Sequence, residues 1–165
     1  MNPPSRQQIE AAVRALEWGA DLEDVTVLHA TVVGSFGRDH WTKGDDVDIR
    51  VVYVLPTERY LTIGSFVDEI ELLSNVEGSE LDVVAFEVEK IARLILKGHR
   101  PTLLWLIGTP LFSVGESLVL SELAQARLEQ LGDEGDRPRS SPSNTLYEKL
   151  DQLVLRARLG RVVSP

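Results

Sequence analysis

Ten residues, Asp46 to Leu55 (DVDIRVVYVL), constrain what this chain can fold into more than any other stretch. Their β-branched content, closed by Pro56, predicts a strand. Side chains alternate along a strand, so Asp46, Asp48, Arg50, Val52 and Val54 share one face, and Val47, Ile49, Val51 and Tyr53 the other. The second face is almost wholly apolar and should pack on helices. The first face opens with two carboxylates separated by two strand rises, about 7 Å. Like charges at that spacing repel unless a cation or a basic side chain lies between them. Hard oxygen donors so arranged suit Mg²⁺ or Mn²⁺. A solvated strand end also often carries Asp-x-Asp, so the surrounding sequence has to decide.

Two neighbouring signals support chemistry. Val25 to Val33 (VTVLHATVV) predicts a strand, broken by Gly34-Ser35-Phe36-Gly37. A Gly-Ser turn after a strand exposes backbone N–H groups and a hydroxyl, which can cradle a triphosphate. Further on, Asp82 opens the apolar run Val83-Val84-Ala85-Phe86. If that strand lies beside the Asp46–Leu55 strand, Asp82 can face Asp46 and Asp48. Three carboxylates on adjacent strands can form a two-metal site for in-line displacement at phosphorus. An EF-hand is excluded, because Gly44 precedes the carboxylates and no glutamate closes a twelve-residue loop. By alternation Arg50 lies on the carboxylate face, where it either pairs with an acid or contacts a nucleotide.

The remaining elements follow from period and punctuation. Ser5 and Gln8 form a capping-box pattern ahead of Ile9, Ala12, Val13 and Leu16, which predicts a helix to about Trp18. Residues 57–62 suit a helical turn. Residues 68–73 and 80–86 read as an antiparallel hairpin around Asn75-Val76-Glu77-Gly78. Residues 87–97 are amphipathic, with Gly98 at the C-cap position. Pro101 opens a short helix, PTLLWLI, whose leucines and Trp105 are expected in the core. A helix over 116–131 follows, and Thr145 with Glu148 makes a second capping-box pattern for a last helix to about Leu159. The architecture expected is α/β: a small mixed sheet with helices on one side and a helical C-terminal part.

Composition narrows the classes. With 165 residues, no cysteine and a formal net charge of −9, the chain suits one domain without disulfides or thiolate metal sites. The negative charge argues against non-specific nucleic-acid binding, which relies on accumulated Lys and Arg. No apolar run approaches the roughly 18 residues of a membrane helix. The start, MNPPSRQQIEAAV, shows no signal peptide, so a cytoplasmic location and no membrane partner are expected. His29, His40 and His99 are dispersed, and a histidine metal site is not expected. Trp41 suits a loop anchor or a base platform. His99 and Arg100, and the basic residues Lys149, Arg156, Arg158 and Arg161, suit solvated surfaces or contacts to phosphate and nucleic acid.

The stretch VVGSFGRDHWTKGDDVDI resembles the nucleotidyltransferase signature of the DNA polymerase β superfamily. IRVVYVLPTERYLTI, ELDVVAFEVEKIARLILKG and PTLLWLIGTPLF are similar to predicted nucleotidyltransferases of the YcgL type, some associated with RNA repair. The resemblance covers about residues 24–114. It implies a minimal polymerase-β-like palm, taken here as 1–114; the chain's own pattern predicts a helical extension over 115–165, with a mobile linker at 132–144 where apolar residues are almost absent. The resemblance also implies transfer of a nucleoside monophosphate from an NTP, with Mg²⁺ or Mn²⁺, to an RNA end, a protein hydroxyl or a small molecule. Carried over by position, Gly34 and Ser35 would hold the triphosphate, and Asp46 and Asp48 the metals. Asp82 would bind the second metal and help activate the acceptor hydroxyl, and Lys97 would reach phosphate. Phe36, Asp39 and Asp45 depart from the family pattern. They motivate an alternative: a nucleotide sensor or partner-binding module of toxin–antitoxin type, weak or inactive in catalysis.

Overall fold

The computed structural model describes residues 4–18, 24–34, 46–61, 67–114, 118–132 and 141–159. A five-stranded mixed sheet carries the fold, in the order β3-β4-β2-β1-β5. Its strands are β1 (Thr26–Val32), β2 (Val47–Val54), β3 (Glu69–Val76), β4 (Ser79–Glu87) and β5 (Pro110–Ser113). The helices are α1 (Arg6–Arg14), α2 (Thr57–Leu61), α3 (Val88–Lys97), α4 (Arg100–Leu106), α5 (Val119–Leu131) and α6 (Asn144–Arg158). β1 pairs antiparallel with both β2 and β5. β3 and β4 form the expected antiparallel hairpin, turning through Glu77 and Gly78, both at positive φ. The chain then lays β4 parallel to β2.

The alternation in β2 divides the core in two. Val47, Ile49, Val51 and Tyr53 pack with Leu81, Val83 and Ala85 of β4 and with Ile9 and Val13 of α1. Val52 and Val54 face the other way, against α3 (Val88, Ile91, Ile95), α4 (Leu103, Leu106), α5 (Leu120, Leu123) and α6 (Leu146, Leu150, Leu153). Each such side chain, taken fully from water, contributes about 1.5–3 kcal/mol before the entropy of ordering it. The helices are therefore not all on one side. α3 to α6 form a layer on one face, while α1 covers the other, where the strictly apolar face of β2 needs it.

Local chemistry sets the element ends. The Ser5–Gln8 capping box is present at α1. That helix stops at Arg14 rather than Trp18, and Trp18 packs its ring on Tyr53, centroids 5.5 Å apart. α3 ends at Gly98, φ 70°, a left-handed C-cap. α6 is capped by Ser143, whose hydroxyl accepts from Leu146 N at 3.3 Å, instead of by Thr145. β5 was not expected. It is short, begins with a proline at the sheet edge, and pairs Pro110 with Thr31 and Phe112 with Ala30. The expected linker at 132–144 falls mostly outside the described residues.

Candidate active site

The site begins where β1 ends. Val33 N donates to Asp48 O at 2.9 Å, and the next residue, Gly34, turns at φ 68°. A Cβ placed on Gly34 would overlap the Oδ2 carboxylate oxygen of Asp48. Glycine suits the left-handed backbone here, and a side chain in its place would also have to displace the Asp48 carboxylate. Ser35, which follows, lies outside the described residues, as do Phe36, Asp39, His40, Trp41 and Asp45.

The parallel register of β2 and β4 pairs Asp48 with Asp82. Neighbouring strands lie about 4.8 Å apart, so the two carboxylates stand side by side on the face that also carries Arg50. Asp46 precedes the first residue of β2 and is exposed. Among the described residues, no three His, Asp or Glu side chains are grouped closely enough to hold a metal ion. Asp48 and Asp82 are thus the register-matched pair, and Asp46 stands at the entrance of the same strand. This donor set fits Mg²⁺ or Mn²⁺. Such ions commonly take one or two protein carboxylates and complete their shell with water and substrate phosphate.

Beside the pair lies a cavity of about 330 Å³ between the end of β1, Arg50 and α4. Gly34 and Thr31 form one wall, Pro101, Leu104 and Trp105 the other. Arg50 is half-buried and donates from Nη1 to Ile49 O at 3.1 Å. Among the described residues it makes no ion pair. The ring centroids of Phe86 and His29 each lie 6.2 Å from that of Trp105. His29 is fully buried, with Nδ1 2.7 Å from Ser113 Oγ and Nε2 2.8 Å from Thr31 Oγ1. Burial pulls its pKa down from 6.5 to about 4, which keeps the imidazole neutral at physiological pH.

Leu104 and Trp105 were expected in the core with Leu103 and Leu106. Leu103 and Leu106 are there, but Leu104 is 53% exposed and Trp105 half-buried, and both line the cavity. The signal was the run LLWLI itself. A seven-residue helix cannot turn four consecutive apolar residues to one side.

His99, Arg100 and Arg158 have structural partners. His99 Nδ1 is 2.8 Å from Thr102 Oγ1, and Arg100 donates to Gly132 O at 3.2 Å. Arg158 bonds Glu89 and lies 3.9 Å over the Tyr60 ring. Lys97 is exposed in the last turn of α3 and does not line the cavity.

The family model of the RNA repair pathway DNA polymerase beta family (RlaP) matches residues 6–154. This chain belongs to that family. The RlaP match spans β1 to β5 and continues through α5 and most of α6. It places the chain among proteins of the polymerase-β type. No curated protein matches it. One solved structure found by fold comparison is described as a nucleotidyltransferase-like protein from Exiguobacterium sibiricum 255-15. It aligns with a TM-score of 0.46 and 11% identity, over 74% of this chain and 40% of its own. The RlaP chain thus spans less than half the length of that protein. No helix among the described residues is long and apolar enough to cross a membrane.

Proposed function

We propose that the protein transfers a nucleoside monophosphate from an NTP to a hydroxyl acceptor and releases pyrophosphate. The observation that carries this reading is the pairing of Asp48 with Asp82 beneath Gly34, in a chain of the RlaP family. Asp48 and Asp82 would hold Mg²⁺ or Mn²⁺, with Asp46 available from the strand entrance. A divalent ion bound there supplies neutralisation of phosphate charge and acidifies a bound hydroxyl. The chain's own residues do the rest. Gly34 and Ser35 would receive the triphosphate, with Lys97 as a further phosphate contact. The Asp82 carboxylate would orient the acceptor hydroxyl and take its proton. The acceptor oxygen forms a bond to the α-phosphorus, the bond from that phosphorus to the bridging oxygen breaks, and pyrophosphate leaves. Positioning and charge complementarity supply the rate.

In this reading residues 1–114 form the catalytic part. Residues 115–165 are the extension, whose described helices α5 and α6 back α3 and α4. Nucleotide chemistry suits a cytoplasmic setting, and the acceptor is an RNA end, a protein hydroxyl or a small molecule. The test is incubation with each labelled NTP and Mg²⁺ or Mn²⁺, with total RNA and with cell protein as acceptors. Label transfer that is lost in Asp82→Asn supports the reading.

A second reading is favoured by the grouping of the carboxylates: among the described residues no third acidic or histidine side chain joins Asp48 and Asp82. It makes the protein a nucleotide sensor or partner-binding module, weak or inactive in catalysis. Nucleotide binding without transfer to any acceptor would select it.

A further inference from the structure

The cavity beside Asp48 is largely apolar, and among the described residues that line it Arg50 is the charged one. If the triphosphate sits at Gly34 and Asp48, a nucleoside that extends away from the carboxylates along this face enters this cavity. Its volume, about 330 Å³, is at the lower end of the range for small-molecule pockets. Arg50 lies on the same sheet face as Asp48, two residues along, about 7 Å deeper. A guanidinium carries five N–H donors and no acceptor. One donor of Arg50 is used on Ile49 O. The hydroxyl of Thr31, which also lines the cavity, is already engaged by His29 Nε2. A base entering this cavity therefore meets a donor fork in apolar surroundings, where polar groups left unmatched are costly.

We infer that Arg50 is a specificity-determining residue that selects a carbonyl-bearing base, guanine above all, over adenine, with Trp105 and Leu104 as the apolar wall for the ring. Guanine presents O6 and N7 as adjacent acceptors, matching the fork in a bidentate way. Adenine sets its N6 amine beside N7, so one arm of the fork meets a donor. The flat indole of Trp105 is already fixed by Phe86 and His29, so it offers a rigid surface at little entropic cost. This inference rests on the nucleotide reading proposed above.

The test is calorimetric titration of wild type, Arg50→Met and Arg50→Lys in Mg²⁺. The probes are the α,β-methylene analogues of GTP and ATP, which block transfer, and inorganic tripolyphosphate. Wild type should bind the GTP analogue about tenfold more tightly than the ATP analogue. Arg50→Met should bring the two within about twofold while tripolyphosphate affinity stays the same, and Arg50→Lys should fall between. Equal affinity of wild type for both analogues would overturn the inference. So would equal weakening of both analogues and of tripolyphosphate in Arg50→Met, which would make Arg50 a phosphate contact. If Arg50→Met fails to fold, the wild-type ratio and Arg50→Lys decide. Failure of wild type to bind either nucleotide would remove the nucleotide reading itself, and this inference with it.

Discussion

Asp48 and Gly34 are best understood together. The carboxylate occupies the space a side chain at position 34 would need, and the backbone there is left-handed. Gly34→Ala should therefore cost more than the ~1 kcal/mol of an ordinary left-handed glycine, because Asp48 must also move. Urea unfolding of Gly34→Ala, Asp48→Ala and the double variant checks this. The double variant should recover part of the loss, and strict additivity would contradict the contact. His29 gives a second residue-scale prediction. Its folded pKa is about 4 against 6.5 unperturbed, so between those values the unfolded chain binds more protons. The stability this neutral group provides is complete above pH 6.5 and is lost as pH falls towards 4, by about 3 kcal/mol at most. Comparing urea unfolding at pH 4.5 and 7, His29→Gln should show a smaller pH dependence than wild type. The carboxylate face was legible from alternation alone, since Asp48 and Arg50 stand two residues apart on one strand. The burial of His29 was not, because it depends on Ser113 of β5, a partner distant in the chain. Ser35 and Asp45 lie outside the described residues, so the structure does not place these parts of the expected site.

At the scale of elements, the junction of β4 and α3 is held by a buried polar network. Glu87, fully buried, caps α3 by accepting from Glu89 N at 2.7 Å and accepts the Tyr60 hydroxyl. Tyr60 in turn accepts from Leu55 N at 3.2 Å, which ties α2 to the end of β2. Burial pushes the Glu87 carboxyl up from its ordinary range, against the hydrogen bonds that favour its charge. Burial and the neighbouring Glu87 push the Tyr60 hydroxyl up as well. Arg158 lies over the Tyr60 ring, and Thr57 bonds its carbonyl, so the end of α6 closes the same network. Tyr60→Phe should cost about 1–3 kcal/mol in urea unfolding, because it leaves buried polar groups without their partner. A change within ~0.3 kcal/mol would show that water replaces the hydroxyl. Most elements were legible from capping patterns, the Gly98 stop and the period of each segment. β5 was hidden because four residues opening with proline carry too little pattern. The parallel pairing of β2 with β4 was open in the sequence, since the β4 run does not say which strand it will join.

For the whole molecule, the sheet separates a small core under α1 from a larger one under α3 to α6, and leaves the Asp48–Asp82 end of one face for chemistry. Two like charges on adjacent strands work against the empty protein. Asp48→Asn should therefore leave the melting temperature in chelator unchanged or raise it. A ligand that binds only the folded state adds stability by mass action, about 2.7 kcal/mol at a hundred times its Kd. The central claim is that Asp48 and Asp82 together form a site for a divalent ion and a nucleotide. The most direct measurement is the thermal unfolding midpoint across a Mg²⁺ series at fixed GTP analogue, for wild type, Asp48→Asn and Asp82→Asn. Wild type should rise with Mg²⁺ in the presence of the nucleotide, while both variants should start at or above the wild-type midpoint and stay flat. Variants that rise as wild type does would contradict the account, because the paired carboxylates would then not be what holds the ion.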